Sequence, residues 1–169
     1  LRDVGSDIEK AKKWRAESAA HTLVAPRILI YTSQWRTRGQ SSSDVLAPAG
    51  ASLEALRQGI RWAKQEGADG LKFFGMDRDQ LEALMLEAKA QALKTTTHIA
   101  VEEVTAKDFV ELGVDSIEHF YGVADAALDG VQNFPADHNA SNEVHRFGRA
   151  GELYAQANPN KLRQVIALM

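Results

Sequence analysis

The sequence contains no cysteine, which excludes disulfide bonds and thiolate metal ligands and leaves the cellular compartment open. It also has no apolar run near the roughly 20 residues that a membrane-spanning helix requires. No basic leader with an apolar core opens the chain, so no targeting segment is legible. Charge of neither sign dominates. A net charge of -3 and a pI of 6.0 give no electrostatic case for nucleic acid or an anionic membrane as partner. What is present is 169 residues that are 44% hydrophobic, enough for one ordinary domain with its own core. The first residue is not methionine, "LRDVGSD" reads as a strand end entering a helix, and "NPNKLRQVIALM" reads as an amphipathic helix without a cap. Residues 1–169 are therefore expected to be an internal piece of a longer chain, cut at both ends.

The elements follow from pattern and punctuation. Ser6 and Glu9 have capping-box spacing, with Asp7 in the first turn of a helix to about Ala20. After Pro26, the β-branched and aromatic run Arg27–Thr32 predicts a strand. A Ser- and Gly-rich stretch from Ser33 to Ala51, carrying Trp35, Arg36 and Arg38, predicts a long loop that is functional or mobile rather than a mere connector. Ser52 can cap a helix whose Leu53, Leu56, Ile60 and Ala63 share one face, and Gly67 ends it before "ADGLKFF". Asp77 and Gln80 offer another capping box ahead of Leu81, Leu84, Met85 and Ala88, after which the chain turns into "LKTTTHIA". Thr105 opens a helix that Gly113 closes before "VDSIEHF". An irregular stretch from Phe120 to about Ser141 precedes a helix carrying Val144, Phe147, Gly151 and Tyr154, and "NPN" separates it from a final one with Leu162, Val165, Ile166 and Met169.

This alternation predicts an α/β fold of parallel strands joined by crossover helices, with all strand ends on one edge of one sheet. Helix-to-strand turns are tight, whereas two of the strand-to-helix loops are long. In a barrel of this kind the carboxyl-end face carries the site. Lys72, His98 and His119 all fall at that edge. Two imidazoles at adjacent strand ends suit zinc or another borderline divalent ion, including iron and nickel. A buried lysine can lose its proton, because desolvation disfavours the ammonium form, and a neutral amine can add carbon dioxide to give a carbamate, an oxygen ligand able to bridge two ions. Each residue taken singly is ordinary, so the joint placement is what carries weight. Glu118, next to His119, is expected on the opposite face of its strand, packed against a helix. Tyr121 lies on the same loop face and could donate to a substrate carbonyl or carboxylate. His21, His138 and His145 lack strand-end context and read as surface residues.

"GADGLKFFG", "LKTTTHIA" and "LGVDSIEHFYG", in that order, resemble the amidohydrolase superfamily of metal-dependent hydrolases, more narrowly its imidazolonepropionase-like and Xaa-Pro-dipeptidase-like branch. "RDVGSD" and "APRILIYTSQW" resemble the second and third strands of that branch, so the resemblance extends to about residue 122. "NEVHRFGRAGELYAQANP" resembles members without an assigned role. The resemblance implies a (β/α)8 barrel of which this chain holds about strands 2 to 6. It also implies a metal-activated water that hydrolyses an amide, cyclic amide or ester bond. It makes Lys72 the carbamylated bridging ligand, and His98 and His119 the ligands of one of two divalent ions. Those ions are zinc by first expectation, with manganese, iron or nickel as alternatives. The first-strand His-x-His and eighth-strand Asp of that family are absent, so catalytic groups are expected outside the chain, which by itself is expected to be inactive.

Two other readings compete. Lys72 could serve a barrel aldolase as a Schiff-base nucleophile, which leaves both strand-end histidines unexplained. Alternatively the chain is a non-catalytic βα remnant whose edges are covered by a partner or by a second copy, since an isolated half-barrel exposes strand edges and apolar surface. The expected substrate is a small or peptide-like molecule.

Overall fold

The computed structural model describes residues 1–33, 52–74, 76–99, 104–131, 133, 135–139 and 142–169; Trp35, Arg36 and Arg38 of the long loop lie outside the described residues. Strands and helices alternate as β1 (Arg2–Asp3), α1 (Ile8–Ala19), β2 (Leu29–Ser33), α2 (Leu53–Gln65), β3 (Gly70–Phe74), α3 (Arg78–Ala90), β4 (Lys94–His98), α4 (Ala106–Glu111) and β5 (Ser116–Glu118). A short helical turn at Asp125–Ala127 leads to α5 (Glu143–Gln156) and α6 (Pro159–Leu168). The five strands form one sheet in chain order, each parallel to its neighbours. Among the described residues no helix is long and apolar enough to cross a membrane.

Local chemistry explains where the elements begin and end. Ser52 caps α2 by accepting from the Ala55 amide, and Asp108 accepts from the backbone and hydroxyl of Thr105 to close the box at the start of α4. Two caps differ from expectation. Asp7, not Ser6, caps α1, because its carboxylate accepts from both Glu9 and Lys10 amides. Asp77 precedes α3 without a side-chain cap, and Asp79 takes the Gln80 amide instead. Gly67 and Gly113 adopt φ of +82 and +84, the left-handed geometry that ends a helix and turns it tightly into the next strand.

The core lies between the convex face of the sheet and α1 to α4. Leu71 and Phe73 of β3 are fully buried there against Leu56, Ile60 and Ala63 of α2 and Leu81, Leu84 and Ala88 of α3. Each large side chain so buried stabilises the fold by ~1.5–3 kcal/mol. α5 departs from its expected stripe. Among its described side chains Ala150 and Leu153 are buried, whereas Val144 and Phe147 are 77% and 47% exposed. In α6, Val165 is buried and Ile166 and Met169 are exposed.

The sheet is curled into a half-barrel. Flat strands at ~4.8 Å spacing would separate β1 from β5 by about 19 Å, farther than an arginine and a glutamate can bridge. Yet Arg2 of β1 contacts both Ser116 and Glu118 of β5. The register sorts the concave face into transverse rows: Ser33, Lys72, Thr96 and Ser116 lie across the sheet in one, and Phe74, His98 and Glu118 in the next.

Candidate functional site

Alternation puts Lys72 on the concave face, between the convex Leu71 and Phe73. Lys72 is 8% exposed, and its ammonium lies 5.3 Å from the centre of the Phe74 ring. Burial, the largest influence, pushes its pKa below the ordinary lysine value; Glu118 opposes that shift and Arg2 adds to it.

His98 occupies the next row, at the end of β4, half-buried. Its ring lies 5.4 Å from Phe74, 5.1 Å from Tyr121 and 4.9 Å from His119, the last in an edge-to-face arrangement. His119 does not close β5, as the sequence suggested, but follows it in a turn where His119 and Phe120 take φ of +62 and +56. Two successive non-glycine residues in the left-handed region are costly and persist only where the surroundings enforce them. Here the Phe120 carbonyl accepts from the Tyr154 hydroxyl at 3.1 Å, and the Gly122 carbonyl accepts from the amides of Ala106 and Ala126. The turn brings the His119 ring over His98, and Tyr121, 2% exposed, packs against both imidazoles and Phe147.

Glu118 corrects the sequence expectation. It does not pack against a helix. Because β5 ends at Glu118 and its Cα partner is His98, its side chain faces the concave interior. There it accepts from Arg2 at 2.6 Å and from the Thr96 hydroxyl at 2.7 Å. Two-residue alternation holds only while the strand continues, and the left-handed turn cancels it one residue later. Nothing in local pattern marked that position. Asp3, at the end of β1, accepts from the Gly5 and Ser6 amides and shapes the turn into α1. His21 and His145 are exposed as expected. His138 and His145 face each other at 6.3 Å between ring centres, and His145 Nδ1 accepts from the Asn139 amide.

The two imidazoles pack edge to face at a separation ordinary for ring pairs, which run from about 4.5 to 7 Å. Zinc–nitrogen bonds of about 2.1 Å at a tetrahedral angle place two ring centres roughly 5 Å apart, against the 4.9 Å found. Among the described residues no three His, Cys, Asp or Glu side chains gather as a metal site. Among the described residues, Lys72 lies on the same concave face as His98, one row away.

No family model matches the sequence, and no curated protein matches it. Solved structures do. The chain is similar to a protein from Bifidobacterium longum assigned as a prolidase, at 19% identity and a TM-score of 0.51, over 69% of this chain and 31% of that one. It is also similar to a Xaa-Pro dipeptidase with methionine bound in its active site, at 18% identity and a TM-score of 0.56, over 99% of this chain and 52% of that one. The likeness is one of fold, and the chain spans about half or less of the length of each.

Proposed function

We propose that the chain carries part of the metal-binding edge of a metal-dependent hydrolase of the amidohydrolase type, acting on an amide, cyclic amide or ester bond of a peptide-like substrate. The observation that carries the reading is the convergence of His98, at the end of β4, and His119, in the turn after β5, on a ring separation that one divalent ion can span. A buried lysine with a depressed pKa lies on the same face. The two fold neighbours, one described as a prolidase and the other as a Xaa-Pro dipeptidase, favour a peptide-like substrate over other amides. A (β/α)8 barrel is the complete fold that this reading implies.

In this reading His98 and His119 hold a divalent ion, zinc in the first instance and manganese, iron or nickel as alternatives. Lys72, as the amine or as its carbamate, supplies a further ligand that can be shared with a second ion. When bound, such ions lower the pKa of water and polarise a carbonyl. The chain's own residues do the rest. Burial keeps the Lys72 amine able to attack carbon dioxide, forming an N–C bond and releasing a proton. Tyr121 holds both imidazoles in orientation, and its hydroxyl is the proposed donor to a substrate carbonyl or carboxylate. The chain has no His-x-His, so hydrolysis is proposed for the complete enzyme unit, and metal binding is the property to test on these 169 residues.

Calorimetric titration with zinc tests the reading. The chain should bind, His98→Ala and His119→Ala should each abolish binding, and Lys72→Ala should weaken it with partial rescue by short-chain carboxylates. Undiminished binding in the two histidine variants would refute it. Trapping of a carbonyl compound on Lys72 by borohydride would favour a Schiff-base lyase instead.

A further inference from the structure

Arg2 and Glu118 belong to opposite margins of the sheet, β1 and β5, and are 116 residues apart in sequence. Their side chains nevertheless close a ring of hydrogen bonds across the concave face. Arg2 Nη1 donates to Ser116 Oγ at 2.7 Å, Ser116 Oγ donates to Thr96 Oγ1 at 2.8 Å, Thr96 Oγ1 donates to Glu118 Oε1 at 2.7 Å, and Arg2 Nη2 donates to the same oxygen at 2.6 Å. The guanidinium also sits 5.4 Å from the centre of the Tyr31 ring. Thr96 is fully buried, and the Arg2 and Glu118 side chains are 35% and 20% exposed. The pair is therefore partly desolvated and geometrically fixed, unlike an open surface ion pair.

The ring ties together the two rows that bear the candidate ligands. Thr96 and Ser116 share the row of Lys72, and Glu118 shares the row of His98 and precedes His119. We propose that Arg2 and Glu118 are positioning residues: a clasp from β1 to β5 that holds the curl of the half-barrel and thereby fixes the placement of Lys72 relative to the His98–His119 pair. The proposal rests on the reading of those three residues as metal ligands. The argument is geometric. Backbone ladders hold each strand to its neighbour but leave the curvature of an open five-stranded sheet soft. Only side chains that cross the concave face join its margins directly, and the planar arginine fork fixes both distance and angle. Hydrogen-bonded groups behind metal ligands set affinity by about 10–100-fold in other sites.

The cysteine-free sequence allows spin labels at Lys13→Cys on α1 and Lys107→Cys on α4, both exposed, and double electron–electron resonance then reads the curl directly. Arg2→Met and Glu118→Gln should broaden the distance distribution and lengthen its mean by about one strand spacing, ~5 Å. Both should weaken zinc binding about tenfold with far-UV circular dichroism unchanged. Arg2→Lys, which keeps the charge but not the fork, should fall between and serves where Arg2→Met does not fold. Unchanged distances and zinc affinity would overturn the proposal. So would a lower melting temperature with both preserved, which would make the clasp a stabilising contact only. A wild-type chain that binds no zinc removes the metal reading, and the distance distributions then decide the clasp on their own.

Discussion

Replacement of Gly122 by alanine tests how the turn that carries His119 is held. Gly122 has φ of +75, and an added Cβ would lie 2.5 Å from Ile99 Cγ2, 2.9 Å from its Cδ1 and 3.0 Å from its Cβ. Ile99 is fully buried, so its side chain has nowhere to swing. The Gly122 carbonyl accepts from the Ala106 amide at 3.0 Å and the Ala126 amide at 3.2 Å, so the backbone cannot withdraw without losing both bonds. The left-handed conformation costs a non-glycine residue ~1–2 kcal/mol, and overpacking a filled core adds about 1–3 kcal/mol. Gly122→Ala should therefore destabilise by roughly 2–5 kcal/mol. Gly113 supplies the control: its φ is +84 and an added Cβ meets nothing within 4 Å, so Gly113→Ala should cost only the conformational ~1–2 kcal/mol. Ile99→Ala alone should cost ~2–5 kcal/mol, but combined with Gly122→Ala it removes the two nearest clashing atoms, and the double variant should fall short of additivity by about 1–3 kcal/mol. Urea denaturation of wild type and the four variants gives all of these quantities. Zinc affinity should fall in Gly122→Ala and hold in Gly113→Ala. Equal losses in the two glycine variants, or strict additivity of the double, would refute the steric account.

Three further outcomes follow from burial and charge. Lys72 has its pKa lowered by burial, so below that folded pKa the native state must hold a buried ammonium that the unfolded chain leaves in water; the resulting penalty is relieved as pH rises toward 10.5. Lys72→Met should melt higher than wild type at neutral pH, with the gap narrowing toward 10.5; a gap that stays constant would contradict the shift. For Asp115, burial tends to raise the pKa, but the bonds from Lys94 and from the Thr95 amide and hydroxyl outweigh it and the net shift is downward from 3.8. Its stabilisation is complete above 3.8 and lost as pH falls through the folded pKa. Asp115→Asn should thus melt lower than wild type near neutrality and equally in strong acid. The buried Thr97 hydroxyl has no hydrogen-bond partner among the described residues, so Thr97→Val should raise stability by about 1 kcal/mol, measured by urea denaturation; a loss would show that the hydroxyl has a partner.

The order of strands and helices, the stripe of Leu81, Leu84, Met85 and Ala88, the Ser52 and Thr105 caps and the turns at Gly67 and Gly113 were all legible in the amino-acid sequence. They depend on sterics and hydrogen bonds within a few residues, which the residue types themselves dictate. That Lys72 and His98 share a face of one parallel sheet follows from the same periodicity once the strands align. The position at which β5 stops was not legible, and with it went the orientation of Glu118, because a strand ends where the Phe120–Gly122 backbone is held by Ala106, Ala126 and Tyr154. The curl that lets Arg2 reach Ser116 and Glu118 belongs to the same class, as does the face of α5 that buries Leu153 and leaves Phe147 partly exposed. Register, curvature and helix rotation are settled by packing between residues far apart in the chain, and no local pattern encodes them.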